Sequence, residues 1–121
     1  MAAGNDSTRS TYSGIMRSLL SDRDQLEIRL ADPSLIAGAV EEGLRCYPAF
    51  AFIGRAATAE IELHGRRIKP GDRVLLWYRV SNRDPEVFTD PQRFDISRHN
   101  CSAHQAFGAG GRHFRLGAGA T

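Results

Sequence analysis

This sequence has a single lysine, only two cysteines and no long apolar run. Its uninterrupted apolar stretches fall far short of the roughly 20 residues that a membrane-spanning helix needs, so no membrane span is predicted. A basic start followed by an apolar stretch and a cleavage site is also missing, which argues against a secretory signal. Cys46 and Cys101 lie far apart. Their spacing argues against a disulfide scaffold and a paired-cysteine zinc module, and indicates reduced thiols in a cytoplasmic protein.

The sequence also lacks an excess of charge of one sign. Its 16 basic and 14 acidic residues leave a formal net charge of +2, and the acidic residues are scattered among the arginines. No basic face is expected, so nucleic acid is not predicted as a partner. The sequence does have the balance of a folded domain, with 41% apolar and 25% charged residues. A length of 121 residues gives room for one small domain.

The first part of the sequence predicts three helices, the last of which ends at Pro48. Two capping pairs, Ser21-Asp22 and Asp32-Pro33, mark the starts of the second and third helices. In the third helix, one apolar stripe is expected to face the core, namely Leu35, Ile36, Ala39, Val40 and Leu44.

After the third helix the apolar period shortens to two. Ile61 and Leu63 alternate with glutamates, and His64-Gly65 predicts a two-residue hairpin turn. Residues 74–78 predict a buried strand, whereas residues 81–99 show no period and predict a long irregular coil. Three apolar residues are expected to pin this coil, namely Val87, Phe88 and Phe94. This order of elements predicts an α+β fold that is mainly α, without internal repeats.

Taken singly, the candidate functional residues have structural explanations. Glu42 and Arg45 lie one helical turn apart, which is typical of a solvated surface pair. His64, His99 and His104 lack metal-ligand spacing. The glycine-rich run at residues 108–111 lacks the Lys-Ser/Thr of a nucleotide-binding loop. None of these patterns by itself predicts an activity.

Five short runs nevertheless follow one another in a particular order. They are AGNDS at residues 3–7, EGLR at 42–45, NRDP at 82–85, PQRF at 91–94 and FGAGGRHFRLG at 107–117. Together they resemble the C-terminal part of a cytochrome P-450, a heme-thiolate monooxygenase, nearly from end to end. The resemblance implies a partial cytochrome P-450 fold. It would contain the end of the central helix, two further helices, a short β-sheet, a meander coil and the heme-binding loop.

The resemblance implies a role for each run. Asp6 and Ser7 would belong to the oxygen-activation segment and manage proton delivery through water. Glu42, Arg45 and Arg93 would form a buried ion-pair triad that locks a helix to the coil. Heme is the cofactor that the resemblance implies, and its expected contacts are Arg55, Phe107, Gly110, His113 and Gly117.

Two features depart from the pattern of the family. The iron-ligating cysteine would stand at the position of Arg115, and a guanidinium has no lone pair to offer a metal. No metal ligand is therefore predicted. The resemblance also starts inside the central helix and stops just past the loop. We therefore expect residues 1–121 to be the C-terminal part of a cytochrome P-450 domain, truncated at both ends and inactive alone.

By resemblance, the function would be insertion of one oxygen atom from O2 into an apolar small molecule. Electrons would come from a ferredoxin or reductase partner. The alternative is a non-enzymatic remnant that binds heme or porphyrin weakly, or that pairs with a partner chain through exposed apolar faces.

Overall fold

Three α-helices come first in the computed structural model, which describes residues 5–108. They are α1 (Asn5–Ser21), α2 (Arg23–Ala31) and α3 (Ile36–Cys46), with a 3₁₀ turn at Pro33–Leu35 before α3. Four short strands follow, β1 (Ile53–Ala56), β2 (Ile61–Leu63), β3 (Arg66–Ile68) and β4 (Arg73–Leu76). A one-turn helix, α4 (Tyr78–Ser81), leads into an irregular segment, residues 82–108, that contains a 3₁₀ turn at Cys101–Ala103. The α+β class, mainly α, is confirmed. None of the helices within residues 5–108 is long and apolar enough to cross a membrane.

Side-chain caps set the starts of the second helix and of the turn before the third. The Asp22 carboxylate accepts the N–H of Gln25 at 3.3 Å, and the Asp32 carboxylate accepts the N–H of Ser34 at 2.9 Å. The predicted cap of the second helix is confirmed, because the Asp22 carboxylate partners an N–H that the first helical turn leaves without a backbone acceptor. Asp32 caps the 3₁₀ turn instead of α3, which begins without a side-chain cap.

The core joins the three helices to the irregular segment. Its buried members are Leu19, Ala39, Cys46, Phe94 and Ile96, and the partly buried Ile15, Leu26, Leu35 and Tyr47 pack against them. A large apolar side chain stabilises a fold by about 1.5–3 kcal/mol when fully buried. The helices thus depend on Phe94 and Ile96, which lie well beyond them along the chain.

The buried face of α3 differs from the predicted apolar stripe. Ile36 and Val40 are 45% and 46% exposed, so the prediction that they face the core is wrong. Helix α3 instead buries Ala39, Glu42, Gly43, Arg45 and Cys46. A polar face can be buried here because its two charges compensate each other, as described below.

Two glycines let α3 approach its neighbours closely. A methyl group at Gly38 would lie 2.7 Å from the carbonyl oxygen of Ile96, and one at Gly43 would collide with the side chain of Ile15. Helix α3 therefore touches both α1 and the irregular segment at positions where a side chain would hold them apart.

The strands form two small antiparallel pairs. β1 pairs with β4, with Ile53 opposite Leu76 and Ala56 opposite Arg73, and β2 pairs with β3. The turn between β2 and β3 is the predicted His64-Gly65 pair. Both residues adopt positive φ, 49° and 72°, as a type I′ hairpin turn requires.

The strand predicted at residues 74–78 is present as β4 at residues 73–76, but the prediction that it is buried is wrong. Leu75, Leu76 and Trp77 are 52%, 41% and 49% exposed, and Tyr78 is buried but already belongs to α4. The physical reason is that β4 has one strand partner, β1, and no other helix or strand within residues 5–108 packs extensively against this pair.

The irregular segment is anchored by a few buried side chains. Phe88 and Phe94 are 1% and 9% exposed, as predicted, whereas Val87 is 46% exposed and does not pin the coil. Ile96, which sequence patterning did not single out, is 1% exposed and supplies a third anchor.

Candidate functional site

The candidate site is built around an ion pair at the centre of α3. Arg45 donates from Nε to Glu42 Oε2 and from Nη2 to Glu42 Oε1, each at 2.7 Å, and both side chains have zero exposure. Burial opposes the charge on Arg45, but the fork-shaped contact with Glu42 outweighs it and raises the pKa of the guanidinium. The pair is therefore charged and buried, and the surface-pair interpretation of this spacing is wrong.

The other donors of Arg45 hold the irregular segment to α3. Nη1 donates to the carbonyl oxygens of Asn82 and Pro91, both at 2.8 Å, and Nη2 donates to the carbonyl oxygen of Arg93 at 2.9 Å. Phe88 completes the enclosure, since its ring centroid lies 5.1 Å from the guanidinium carbon. One side chain thus determines the path of backbone that lacks regular hydrogen bonding.

The second arginine at Glu42 is Arg98, which is a correction to the predicted triad. Arg98 Nε lies 3.2 Å from Glu42 Oε1, and its side chain is 7% exposed. The side chain of Arg93 is exposed, and the residue contributes its carbonyl oxygen instead. Arg98 also donates to the carbonyl oxygens of Thr89, Asp90 and Arg93.

The chain turn at Asp95 explains why Arg98 reaches Glu42. The Asp95 carboxylate accepts from the N–H and the hydroxyl of Ser97, at 3.0 and 2.6 Å, and the N–H of Asp95 donates to Glu42 at 2.9 Å. Burial acts to raise the pKa of Asp95, but the Ser97 hydrogen bonds and the nearby arginines outweigh it and lower that pKa. Sequence reasoning missed Arg98 because an arginine in an irregular segment has no periodic signal.

Both cysteines are free and buried. Burial, with the Glu42 carboxylate adding to it, raises the pKa of the Cys46 thiol to about 11. Burial followed by the charges of Glu42 and Glu41 raises the pKa of the Cys101 thiol. Neither group is a thiolate near neutral pH, so neither offers a ready metal ligand.

The start of the glycine-rich run is attached to the rest of the fold by two side chains. Asn82 Oδ1 accepts the N–H of Gln105 at 2.7 Å, and His104 Nδ1 accepts the N–H of Ala106 at 3.1 Å. The other ring nitrogen of His104 faces a carboxylate oxygen of Glu41 at 3.2 Å. His104 is therefore part of the packing between this run and α3.

The remaining predicted site residues that the structure describes lie on different elements. Asp6, exposed, and Ser7, half-buried, lie in the first turn of α1. Arg55 is exposed on β1, and Phe107 is 38% exposed with its ring edge on His104. Gly110, His113, Arg115 and Gly117 lie outside the described residues. Within residues 5–108, no group of three His, Cys, Asp or Glu side chains is arranged to hold a metal ion.

Comparisons with known proteins agree on one family. Residues 15–113 match the family model described as Cytochrome P450. The chain is 40% identical over 117 residues to a steroid C26-monooxygenase of Mycobacterium tuberculosis, spanning 97% of this chain and 31% of that protein. It is also 39% identical over 119 residues to a methyl-branched lipid omega-hydroxylase of Mycobacterium bovis, spanning 98% of this chain and 28% of the relative.

Solved structures show the same similarity. Substrate-free CYP109E1 from Bacillus megaterium superimposes with a TM-score of 0.88 at 34% identity, covering 96% of this chain and 30% of that one. P450BioI, solved in complex with an acyl carrier protein that carries a fatty acid, gives a TM-score of 0.86 at 36% identity, covering 92% and 29%. The chain thus spans about 30% of the length of these relatives.

Proposed function

Because this chain belongs to the cytochrome P450 family, whose members bind heme, we propose that it represents the C-terminal, heme-loop part of a monooxygenase. We propose further that these 121 residues do not catalyse monooxygenation by themselves. The whole protein would insert one oxygen atom from O2 into an apolar small molecule in the cytoplasm, using electrons from a ferredoxin or reductase. The steroid and lipid oxygenases among the relatives support an apolar substrate.

The observation that carries this proposal is the buried cluster of Glu42, Arg45 and Arg98. Its hydrogen bonds hold residues 82–98 in one conformation and so determine where the glycine-rich run starts. A cofactor-binding loop needs such support because its own backbone makes few regular hydrogen bonds.

The donor groups of the chain do not fit thiolate ligation of iron. By resemblance, Arg115 would stand at the ligand position, and an arginine is cationic at any ordinary pH. Cys46 and Cys101 cannot substitute for the ligand as they stand, because both thiols are buried and their pKa values are raised. The proposal therefore assigns no reaction step through the heme of this chain.

Other residues have side chains suited to porphyrin contact. Arg55, exposed on β1, can offer its guanidinium to a propionate. By resemblance, His113 would serve the second propionate, while Phe107, Gly110 and Gly117 would line the loop. Asp6 and Ser7 keep their proposed role in proton delivery, as the polar pair at the start of α1.

A reduced carbon-monoxide difference spectrum after hemin titration tests the proposal. We expect no thiolate-type band from the unsubstituted chain, and no substrate oxidation from the chain carrying Arg115→Cys. A thiolate-type band from the unsubstituted chain would contradict our account of Arg115. Turnover by the Arg115→Cys variant would contradict the claim that these residues are insufficient.

A graft separates the defect at residue 115 from the rest of the sequence. Residues 3–121 would replace the matching segment of a full-length relative, with and without Arg115→Cys. We expect both chimaeras to fold and only the one that carries Arg115→Cys to show thiolate ligation. Thiolate ligation in the chimaera that keeps Arg115 would show that another residue provides the ligand.

The second candidate function is non-enzymatic: binding to another protein chain or to a porphyrin. It is favoured by an exposed aromatic pair, Phe52 and Trp77, whose rings lie 4.8 Å apart and which are 47% and 49% exposed. Sedimentation of the purified chain over a range of concentrations tests it. A monomer at every concentration that also fails to take up hemin saturably would argue against pairing with a second copy of this chain and against porphyrin binding.

A further inference from the structure

Asn82 occupies a position where three parts of the chain meet. It is fully buried, at 0% exposure, and its neighbours along the chain belong to the end of α4. A buried amide of this kind requires hydrogen-bond partners for both its oxygen and its nitrogen. The partners that the structure provides for this side chain come from distant segments.

Asn82 and Arg45 hold each other through reciprocal hydrogen bonds. Arg45 Nη1 donates to the carbonyl oxygen of Asn82 at 2.8 Å, and Asn82 Nδ2 donates to the carbonyl oxygen of Arg45 at 3.1 Å. The side chain of each residue thus satisfies the backbone of the other. This exchange fixes the orientation of the Asn82 amide, with its oxygen directed away from the Arg45 carbonyl.

The amide oxygen that remains accepts the N–H of Gln105 at 2.7 Å. Gln105 lies three residues before Gly108, where the glycine-rich run begins. Asn82 is therefore the link between the two: the Arg45 guanidinium of the ion pair holds its backbone carbonyl, and its side-chain oxygen holds the Gln105 backbone.

We propose that Asn82 is a positioning residue, through which the buried ion pair of α3 fixes, at Gln105, the segment that leads into the glycine-rich run. The consequence of this positioning for heme binding rests on the function proposed above. Asn82 itself would touch neither cofactor nor substrate.

Arg83 provides a matched control. Its Nη2 donates to the carbonyl oxygen of Cys46 at 2.8 Å, so it also ties the end of α4 to the end of α3. The contact to Gln105 is made by Asn82. A role that consists only of joining α4 to α3 is therefore shared by both residues, whereas positioning of Gln105 is assigned to Asn82.

The test is amide hydrogen exchange followed by NMR on the 121-residue chain and on its Asn82→Ala and Arg83→Ala variants. We expect Asn82→Ala to speed exchange at the Gln105 amide about tenfold more than Arg83→Ala does, as loss of this partly buried hydrogen bond predicts. The Gln105 amide proton should also move upfield in Asn82→Ala alone. Equal changes in both variants, or none in either, would overturn the proposal.

A measurement on the unsubstituted chain decides the question if Asn82→Ala does not fold. The Glu86 N–H donates to the Asp84 carboxylate at 2.9 Å, so it too bonds a side-chain oxygen, but in an exposed turn. We expect the Gln105 amide to exchange at least about tenfold more slowly than that of Glu86. Equal rates would contradict the positioning role. A thiolate-type band in the carbon-monoxide spectrum would contradict the proposed function, but it would leave this comparison of amide exchange rates unaffected.

Discussion

Helix α3 and the β1–β4 pair show opposite relations between polarity and burial. On α3, Glu42 and Arg45 have no exposure at all. On and beside the strands, Leu75 and Trp77 are about half exposed, although both side chains are large and apolar. Charges are inside in the first region and apolar side chains are outside in the second.

The difference shows that the number of partners decides burial in this protein. The Glu42 carboxylate accepts from Arg45, Asp95 and Arg98, so its charge is compensated without water. The strands contact mainly each other within the described part of the chain, and side chains on an uncovered two-stranded sheet keep contact with solvent.

One of the two largest expected effects comes from removing the charge at the centre of α3. Glu42→Gln leaves the Arg45 guanidinium buried without its counter-ion, which should lower the free energy of unfolding by about 3–5 kcal/mol. The control is Glu60→Gln, because Glu60 pairs with Arg67 at 3.5 Å on the surface. That change should alter stability by less than about 1 kcal/mol. Urea denaturation measures both, and similar losses would contradict the comparison.

A methyl group should affect the two regions differently. Gly38→Ala places its Cβ 2.7 Å from the backbone oxygen of Ile96, whereas Gly54→Ala on β1 meets Leu75 at an ordinary 3.7 Å. We expect Gly38→Ala to lose about 1–3 kcal/mol of stability, because backbone cannot move aside as a side chain can. Gly54→Ala should be close to neutral. Thermal unfolding distinguishes them, and a stabilised Gly38→Ala variant would show that α3 can shift without loss.

Because of the Cys46 thiol, we expect the stability of the α3 region to fall at alkaline pH. Its pKa is raised to about 11 by burial and by Glu42, from an ordinary value of 9.0. The folded state holds this proton more tightly than the unfolded state. The contribution is therefore complete below about pH 9 and is lost as the pH rises towards 11, at up to about 1.4 kcal/mol per pH unit.

Denaturation of the chain and of its Cys46→Ala variant between about pH 8 and pH 11 measures this dependence. The unsubstituted chain should lose stability more steeply than the variant over this range. Parallel curves would show that the thiol titrates alike in the folded and unfolded states.

The smallest expected effect lies on the exposed side of the comparison. Phe52→Ala removes an aromatic contact with Trp77 that is half open to solvent, so we expect a loss of about 1 kcal/mol or less. Phe88, by contrast, is 1% exposed and packs against Arg45. Phe88→Ala leaves a cavity there and should lower the free energy of unfolding by about 3–5 kcal/mol. Equal losses in chemical denaturation would mean that the face carrying Phe52 is buried in solution.

Sequence patterning predicted the positions of helices and turns better than it predicted which face of a helix is buried. The caps at Asp22 and Asp32 and the turn at His64-Gly65 were predictable, because each depends on residues within three positions of one another. The apolar stripe of α3 was predicted to be the core face, yet two of its members are half exposed. Periodicity reports where apolar residues recur, but not whether another layer covers them.

The candidate site was predictable in part for the same reason. Glu42 and Arg45 belong to a local motif, and the resemblance to a known family marked them as a pair. Arg98 was not predictable from spacing, because it reaches Glu42 across 56 positions through a turn at Asp95. Asn82 appeared in the sequence only as part of a run, and its contacts across 37 and 23 positions were not visible there.

The sequence by itself determined the family, the order of helices and strands, the helix caps, the hairpin turn and the arginine at position 115. Each of these depends on residue identity or on neighbours within one turn of the chain. Only the tertiary structure decided that Arg98 joins the cluster, that Asn82 connects it to Gln105, and that α3 buries its charged face. A buried charge or amide is stable only where distant segments bring their donors and acceptors within about 3 Å, which depends on how the chain folds back on itself.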